Sequence, residues 1–528
     1  MSPATRADAA FEHATGSDSM EPSTSQALAH HERTIHRPDR LSGARGPLDW
    51  SNRPRPDKRY RGIEPIALPT DLPRSEAPAV SVLTDDAPSR GKLRGLAGLA
   101  RLLFFADGVV RRRELDDLTL HFRAAPSAGA LYPVEAYVVC GDIDGLSAGL
   151  YHFEPVTFSL QPLRDGDWRA RLGEAAADPE LAAAPATVAL TGVPWRTMWK
   201  YGERGYRHLF WDAGAVAANL IEAGAAMGLP VRLIAGFVDE VVAHLLAVTD
   251  DQSPAQGGEM PLALMPVGAA GEEPPPTDPP PPVRTEVEPL SRESVDEPRL
   301  WQAHRAGDLS SAEAVTAWRS QLVSAEAEPI AKPGLPPLDG EPVDEVILRR
   351  GSTRRFAHTE VSREKLDWPL AVATRHVPGD LGADEHTHVT PYVAVHAVDE
   401  TDAGAYRYHD SQLTPVGEAS RQRTAELCLG QPLGGDAAYT VFLTAEVERL
   451  VATAGDRAYR SAQLEAGVVA ERLQLAAFIA AVGATGITFF DEDVRAFFGT
   501  EAWPMMAVAV GVPAYAPRPG SRPDHTGV

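Results

Sequence analysis

The sequence predicts two globular domains of mixed helix and strand, related by an internal duplication and joined by a stiff spacer. Three observations predict this. The chain has 528 residues, too many for one ordinary core, and two cores of about 200 residues each are the natural division. A spacer at 272–283 contains Pro274-Pro275-Pro276-Thr277-Asp278 followed by Pro279 to Pro282, a run that favours extended polyproline backbone and enters neither helix nor sheet. The third observation is a repeat. Gly202-Glu203-Arg204-Gly205-Tyr206-Arg207, then Asp212 and Gly214, return as Gly455-Asp456-Arg457-Ala458-Tyr459-Arg460, then Glu465 and Gly467, every pair 253 positions apart (455 against 202, 467 against 214). Chance does not hold one offset over so many residues.

The elements follow in order. Residues 1–46 form a polar extension with one short helix near 26–34. The first domain spans 47–270, with strands at 134–139, 187–191 and 262–267 and an Ala-rich helix over 213–228. A linker, 271–342, carries one helix at 310–323, for which Ser310 or Ser311 is the natural cap. The second domain spans 343–528, with strands at 392–397, 439–443 and 505–510 and an Ala-rich helix over 466–483. Each Ala-rich helix leads into a turn pairing Phe with an acid, Phe237-Val238-Asp239 and Phe489-Phe490-Asp491. Asp212 and Glu465 suit helix caps. A second repeated pair stands earlier: Gly149-Leu150-Tyr151-His152-Phe153 against Gly404-Ala405-Tyr406-Arg407-Tyr408.

Composition narrows the function. With 50 basic and 73 acidic residues the net charge is −23, so neither nucleic acid nor an anionic membrane is an expected partner. Two cysteines cannot build a disulfide framework or a thiolate metal cluster. None of the 16 histidines stands in an H-E-x-x-H arrangement, and no metal site is expected. The N-terminus lacks the apolar run of a signal peptide, and the most apolar stretch, 213–238, is broken by Asn219, Glu222, Pro230 and Arg232. A cytoplasmic location is expected.

The residues that carry chemistry begin with Arg123-Ala124-Ala125-Pro126-Ser127-Ala128-Gly129-Ala130-Leu131-Tyr132-Pro133. Taken alone, Pro-Ser-Ala-Gly is an ordinary turn between elements, yet it offers a hydroxyl, free amides and a glycine that lets a ligand approach the backbone. With Gly149 to His152, with Lys200-Tyr201-Gly202-Glu203-Arg204-Gly205-Tyr206-Arg207 and with Glu259-Met260-Pro261-Leu262, this stretch resembles the SagB-type (McbC-like) dehydrogenases of the FMN-dependent nitroreductase superfamily. The resemblance covers most of 100–268 and, more weakly, 344–513. It implies an α+β fold of two fused domains, each an antiparallel-centred sheet flanked by helices, forming within one chain the pseudo-dimer that relatives make from two subunits. Further oligomerisation remains open.

The resemblance also implies FMN, held at the ring by Arg123, Pro126, Ser127, Ala128 and Gly129. The phosphate element of the superfamily, Arg-x-Ser-x-Arg, is absent from the start of the first domain but present in the second as Arg350-Gly351-Ser352-Thr353-Arg354. There, guanidinium forks and a hydroxyl can meet a dianion. Conversely, the second domain reads Thr387-His388-Val389-Thr390-Pro391-Tyr392 where the turn would recur. Each half keeps what the other lacks, so a single composite site with one FMN is expected. Phe237 and Phe489 or Phe490 are candidates either to shield a flavin face or to fill core, Phe490 being the one assigned to the cofactor, and Arg518 or Arg522 is a candidate for reaching the phosphate. Lys200 and Tyr201 match the pair implicated in proton removal in azoline oxidases. A lysine can act as base only if burial or nearby cations lower its pKa, and Arg204 and Arg207 lie close in sequence. The duplicate positions, Thr453 and Ala454, have no acid–base chemistry. Arg204, Tyr206 and Arg207 recur in the half without that chemistry, which points to an interface role.

The leading expectation is an FMN-dependent oxidoreductase that dehydrogenates a peptide-borne azoline or related heterocycle, acting on a small-molecule or modified-peptide substrate. An NAD(P)H-dependent nitro or quinone reductase, and a non-catalytic flavin-binding partner of a peptide-modifying complex, are the alternatives. The N-terminal tail and the linker helix are the segments open to docking a peptide.

Overall fold

The computed structural model describes residues 25–523 except 42–47, 85–88, 116–117, 252, 284–285, 296, 326–327, 330–339 and 384–385. Residues 1–24 of the N-terminal extension and 330–339 of the linker therefore lie outside the described residues.

Each half is built on a six-stranded sheet in which every pairing is antiparallel. The front sheet runs Ile66–Ala67, Ser159–Asp165, Gly149–Glu154, Val134–Cys140, Ala186–Gly192, Met260–Val267. The rear sheet runs Gln412–Gly417, Gly404–His409, Thr390–Val395, Tyr439–Ala445, Trp503–Gly511, Gly483–Ile487. Every residue of Val134–Cys140, Ala186–Gly192 and Met260–Val267 is buried, because helices cover both faces; that is why these strands read as unbroken apolar runs. The fold is the α+β duplication expected. Five of the six predicted strands fall inside observed ones, and the sixth, 392–397, overruns Thr390–Val395 by two residues. Gly149–Glu154, Ser159–Asp165 and their rear counterparts complete the sheets.

Behind the sheets two long helices, Gly205–Ala225 and Val447–Ile479, pack against each other across the centre of the molecule. The rear helix breaks at Ala454 and Gly455, and the front chain breaks at Gly202, which separates Pro194–Tyr201 from the long helix. The two helices cross at Gly214 and Gly467. A Cβ on Gly467 would lie 2.5 Å from the Trp211 carbonyl oxygen, and one on Gly214 would lie 2.7 Å from the Gly467 Cα. Close backbone crossing at two equivalent glycines is the signature of a pseudo-twofold axis. One apolar core contains residues of both halves.

Charges cross the same boundary in duplicate. Asp491 of the rear half accepts from Arg204 and Arg207 of the front half, each at 2.9 Å. Asp239 of the front half accepts from Arg457 at 2.6 Å and Arg460 at 2.9 Å. Burial pushes the Asp239 carboxyl up, but the two guanidinium groups hold it below the usual carboxylate range. Arg472 and Glu222 join the two long helices at 2.9 Å. Asp212 and Glu465 are not caps: they lie inside the long helices, and their carboxyls hold other segments.

The described part of the N-terminal extension is a packed helix, Gln26–Thr34, capped by Ser25. It lies over the boundary, with the His31 carbonyl accepting from Arg207 at 2.7 Å and the His31 ring 3.3 Å from the Tyr459 hydroxyl. The linker helix, Ala312–Ser324, is capped by Ser311 and buries Trp318. Among the described residues no helix is long and apolar enough to cross a membrane.

Candidate functional site

The Pro126–Gly129 turn emerges from the strand Leu118–Arg123 and is held open by a carboxylate from below. Ser127 Oγ donates to Asp212 Oδ2 at 2.5 Å and accepts from the Tyr132 amide at 2.8 Å, while the Ala128 amide donates to Asp212 Oδ1 at 3.3 Å. Asp212 is buried, and burial pushes its carboxyl up to about 7. The turn itself is solvent-facing, from half-buried Pro126, Ser127 and Ala128 to exposed Gly129. Gly129 has φ +66°, which glycine adopts without strain.

Lys200 and Tyr201 close over this turn. A Cβ built on Gly129 would lie 2.8 Å from Lys200 Nζ and 2.9 Å from the Tyr201 hydroxyl, so the glycine is what allows the two groups to converge there. They end the helix Pro194–Tyr201 at the Gly202 break. The Tyr201 ring stacks on His208 at 4.2 Å, and burial lowers His208 to about 3, leaving a neutral partner. Lys200 is lowered by burial and then by the charges of Arg53 and Arg354. Tyr201 is raised by burial and by Asp212, with Arg354 opposing. The cations beside Lys200 are therefore Arg53 and Arg354. Arg204 and Arg207, which lie close in sequence, are committed to Asp491.

The rear half reaches this place through its arm. Arg350, buried, donates to the Ala124 carbonyl two residues before Pro126, and its Nε pairs with Glu471 at 3.2 Å. Burial raises Glu471 to about 8 while Arg350 opposes. From the front half, Arg111 donates to the Arg350 carbonyl at 2.6 Å and lies against Gly351. Ser352 is half-buried, and the exposed Arg354 offers a guanidinium with no protein partner among the described residues. In a chain of net charge −23, the gathering of Arg53, Arg111, Lys200, Arg350 and Arg354 is a local anion-attracting field. An open, solvent-facing turn, a lysine and a tyrosine that converge on it and a guanidinium with no protein partner among the described residues suit a phosphorylated planar cofactor.

Other residues predicted for the site take different places. Arg123 is buried; its guanidinium serves Asp107, the Pro56 carbonyl at 2.5 Å and the Val134 carbonyl at 3.3 Å. It shapes the turn by stacking on Tyr132. Phe490 is half-buried at the start of the helix Asp491–Phe498, its amide donating to the Leu427 carbonyl. Phe237 and Phe489 are core residues lying under Arg457 and Arg204. Arg522 pairs with Asp344 at 3.1 Å and Glu345 at 3.3 Å, and the exposed Arg518 contributes its carbonyl to Arg111. Arg53 and Arg111 were missed: both stand outside the recognised motifs, and only the fold brings them in. Asp239, His304 and Asp308 come together as a group that could hold a metal, but Arg457 and Arg460 already neutralise both carboxylates.

The rear half keeps a matching turn. Glu465 accepts from Thr387 Oγ1 at 2.6 Å and from the His388 amide at 3.2 Å, repeating the Asp212 arrangement, and burial raises it to about 7. This turn is covered. The linker strand Glu328–Pro329 pairs with His386–Thr387. The linker helix brings Trp318 and Arg319 against Gly236, with Arg319 bonded to Asp380 at 2.8 Å.

The nitroreductase family model matches residues 101–268 and again 347–512. The chain belongs to the nitroreductase family. A nitroreductase-family protein of Anabaena variabilis superposes with a TM-score of 0.72 at 27% identity, covering 93% of this chain and 99% of that one, so it carries both halves. A nitroreductase-family protein of Methanocaldococcus jannaschii is 32% identical over 174 residues, 33% of this chain and 80% of that protein. The microcin B17-processing protein McbC of Escherichia coli is 28% identical over 130 residues, 24% of this chain and 48% of that protein. The chain thus spans about half the length of McbC. Two nitroreductase domains in tandem, related to a peptide-processing protein, are the architecture the duplication announced.

Proposed function

We propose that the chain is an FMN-dependent oxidoreductase with one flavin clasped between its halves, dehydrogenating a heterocycle such as a peptide-borne azoline. The observation that carries this reading is the docking of the rear arm on the front turn. Arg350 reaches the Ala124 carbonyl, and the charge of Arg354 is felt by both Lys200 and Tyr201. Ser127, Ala128 and Gly129 would meet the ring, and Ser352 and Arg354 the phosphate. When bound, FMN supplies a two-electron acceptor. Lys200, with its pKa lowered, takes the proton that aromatisation of an azoline must release; Tyr201, with its pKa raised, stays protonated and donates a hydrogen bond. The likeness to a microcin-processing protein supports a modified-peptide substrate.

The test is flavin stoichiometry combined with two variants. One FMN per chain is expected. Arg354→Ala should weaken FMN binding about tenfold or more, the loss of a charged hydrogen bond, and Lys200→Ala should keep the flavin while turnover falls about 100-fold or more. Two FMN per chain, undiminished affinity in Arg354→Ala, or a folded protein that stays colourless in excess FMN would overturn the reading. The greater identity to the Methanocaldococcus protein favours a second reading, an NAD(P)H-dependent nitro or quinone reductase. Rapid bleaching of the flavin by NADPH would support it.

A further inference from the structure

We propose that a strap formed by residues 48–60, outside both family-matched segments, builds the substrate-facing wall of this site, with Trp50 as a stacking face and Arg53 as a hydrogen-bond donor. The occupant is a planar ring whose substituent presents an acceptor oxygen, a carbonyl or a carboxylate. This rests on the flavin reading above and adds the side from which substrate enters.

Trp50 is 67% exposed, the most exposed large apolar side chain among the described residues. It is nevertheless fixed. Its ring meets Trp199 edge-on at 5.2 Å, and the Trp199 indole N–H donates to the Asp49 carbonyl at 3.0 Å. Trp199 immediately precedes Lys200 in the helix Pro194–Tyr201, so the strap is anchored on the helix that carries Lys200 and Tyr201. Three residues on, Arg53 donates to the Ala130 carbonyl at 3.3 Å, next to Gly129. That is the one hydrogen bond of its guanidinium among the described residues, and the remaining guanidinium donors have no protein partner there. A half-buried guanidinium with spare donors and, three residues before it on the same strap, an indole face held out to solvent match a flat ligand with an oxygen on its rim.

The strap is a built bracket. Asn52 exchanges two hydrogen bonds with Glu293, 3.1 Å and 3.0 Å. Arg292 reaches Asp49 at 3.1 Å, and the Arg55 amide donates to the Leu290 carbonyl at 2.8 Å. Deeper in, Lys58 forms a buried ion pair with Glu259 at 2.6 Å, and Arg123 grips the Pro56 carbonyl. Chain on both sides of Arg53 is thus pinned, and the position of its side chain is set by the fold.

The experiment titrates the flavin-loaded full chain with 4-nitrobenzoate, 4-nitrobenzamide and nitrobenzene, following both the flavin absorption spectrum and binding heat. Trp50→Ala should weaken all three about tenfold, with Trp50→Phe restoring most of the loss. Arg53→Ala should abolish the preference for the two probes that carry a carboxylate or amide carbonyl over nitrobenzene, by about tenfold, with partial rescue in Arg53→Lys and nitrobenzene unchanged. Flavin-replete Trp50→Ala and Arg53→Ala proteins that bind all three probes as the parent does would overturn the strap proposal alone. A parent that takes up no flavin would overturn the flavin reading and the strap with it.

Discussion

Asp212 shows how one buried side chain sets the terms for an exposed turn. It takes the Ser127 hydroxyl and the Ala128 amide together, and burial raises its pKa to about 7. The unfolded acid ionises near pH 4. Its contribution to stability is therefore full below about pH 4 and is lost as pH rises towards 7, by about 1.4 kcal/mol per pH unit for each proton concerned. Glu465 acts in the same direction over the same range. Asp212→Asn keeps a carbonyl oxygen for Ser127 but has no proton to lose. Urea unfolding between pH 4.5 and 6.5 should show a shallower decline for this variant by about that slope, and an unchanged slope would refute the assignment. Lys200 tells a related story, since the cations that act on it come from a strap and from the other half, where no reading along the chain would look.

Among the elements, the two long helices carry the most exacting packing. Gly214→Ala places a methyl group against the backbone of the opposing helix. Because backbone cannot step aside as a flexible side chain can, a loss of about 1–3 kcal/mol is expected in chemical denaturation. Asp491→Ala strands Arg204 and Arg207, which are 4% and 0% exposed; it should cost about 3–5 kcal/mol and lower the melting temperature accordingly. These helices were legible in the sequence because their repeats, Gly214 with Gly467 and Arg204 with Arg457, are contacts that the duplication had to preserve. The central strands were legible because their burial on both faces leaves continuous apolar runs. The outer strands were not: Gln412–Gly417 is mostly exposed, so its residues obey no apolar pattern. Asp212 and Glu465 were misread as caps because a carboxylate near a helical segment has two uses, and only the tertiary fold shows that a distant turn needs it.

At the scale of the whole molecule, duplication has produced one open site and one covered counterpart. The front turn faces solvent with Lys200 and Tyr201 above it, while the rear turn is buried at Thr387 and His388 and pairs along its edge with the strand Glu328–Pro329. The buried charges ignore this asymmetry: Asp239 depends on rear arginines and Asp491 on front ones, and the apolar core runs through both halves. The covalent connection between the halves is therefore secondary to their interlocking. A gene split within the linker should yield two polypeptides that each precipitate when made alone, yet co-purify as a soluble, equimolar pair when made together. The linker would then act chiefly by keeping the two partners at high local concentration during assembly.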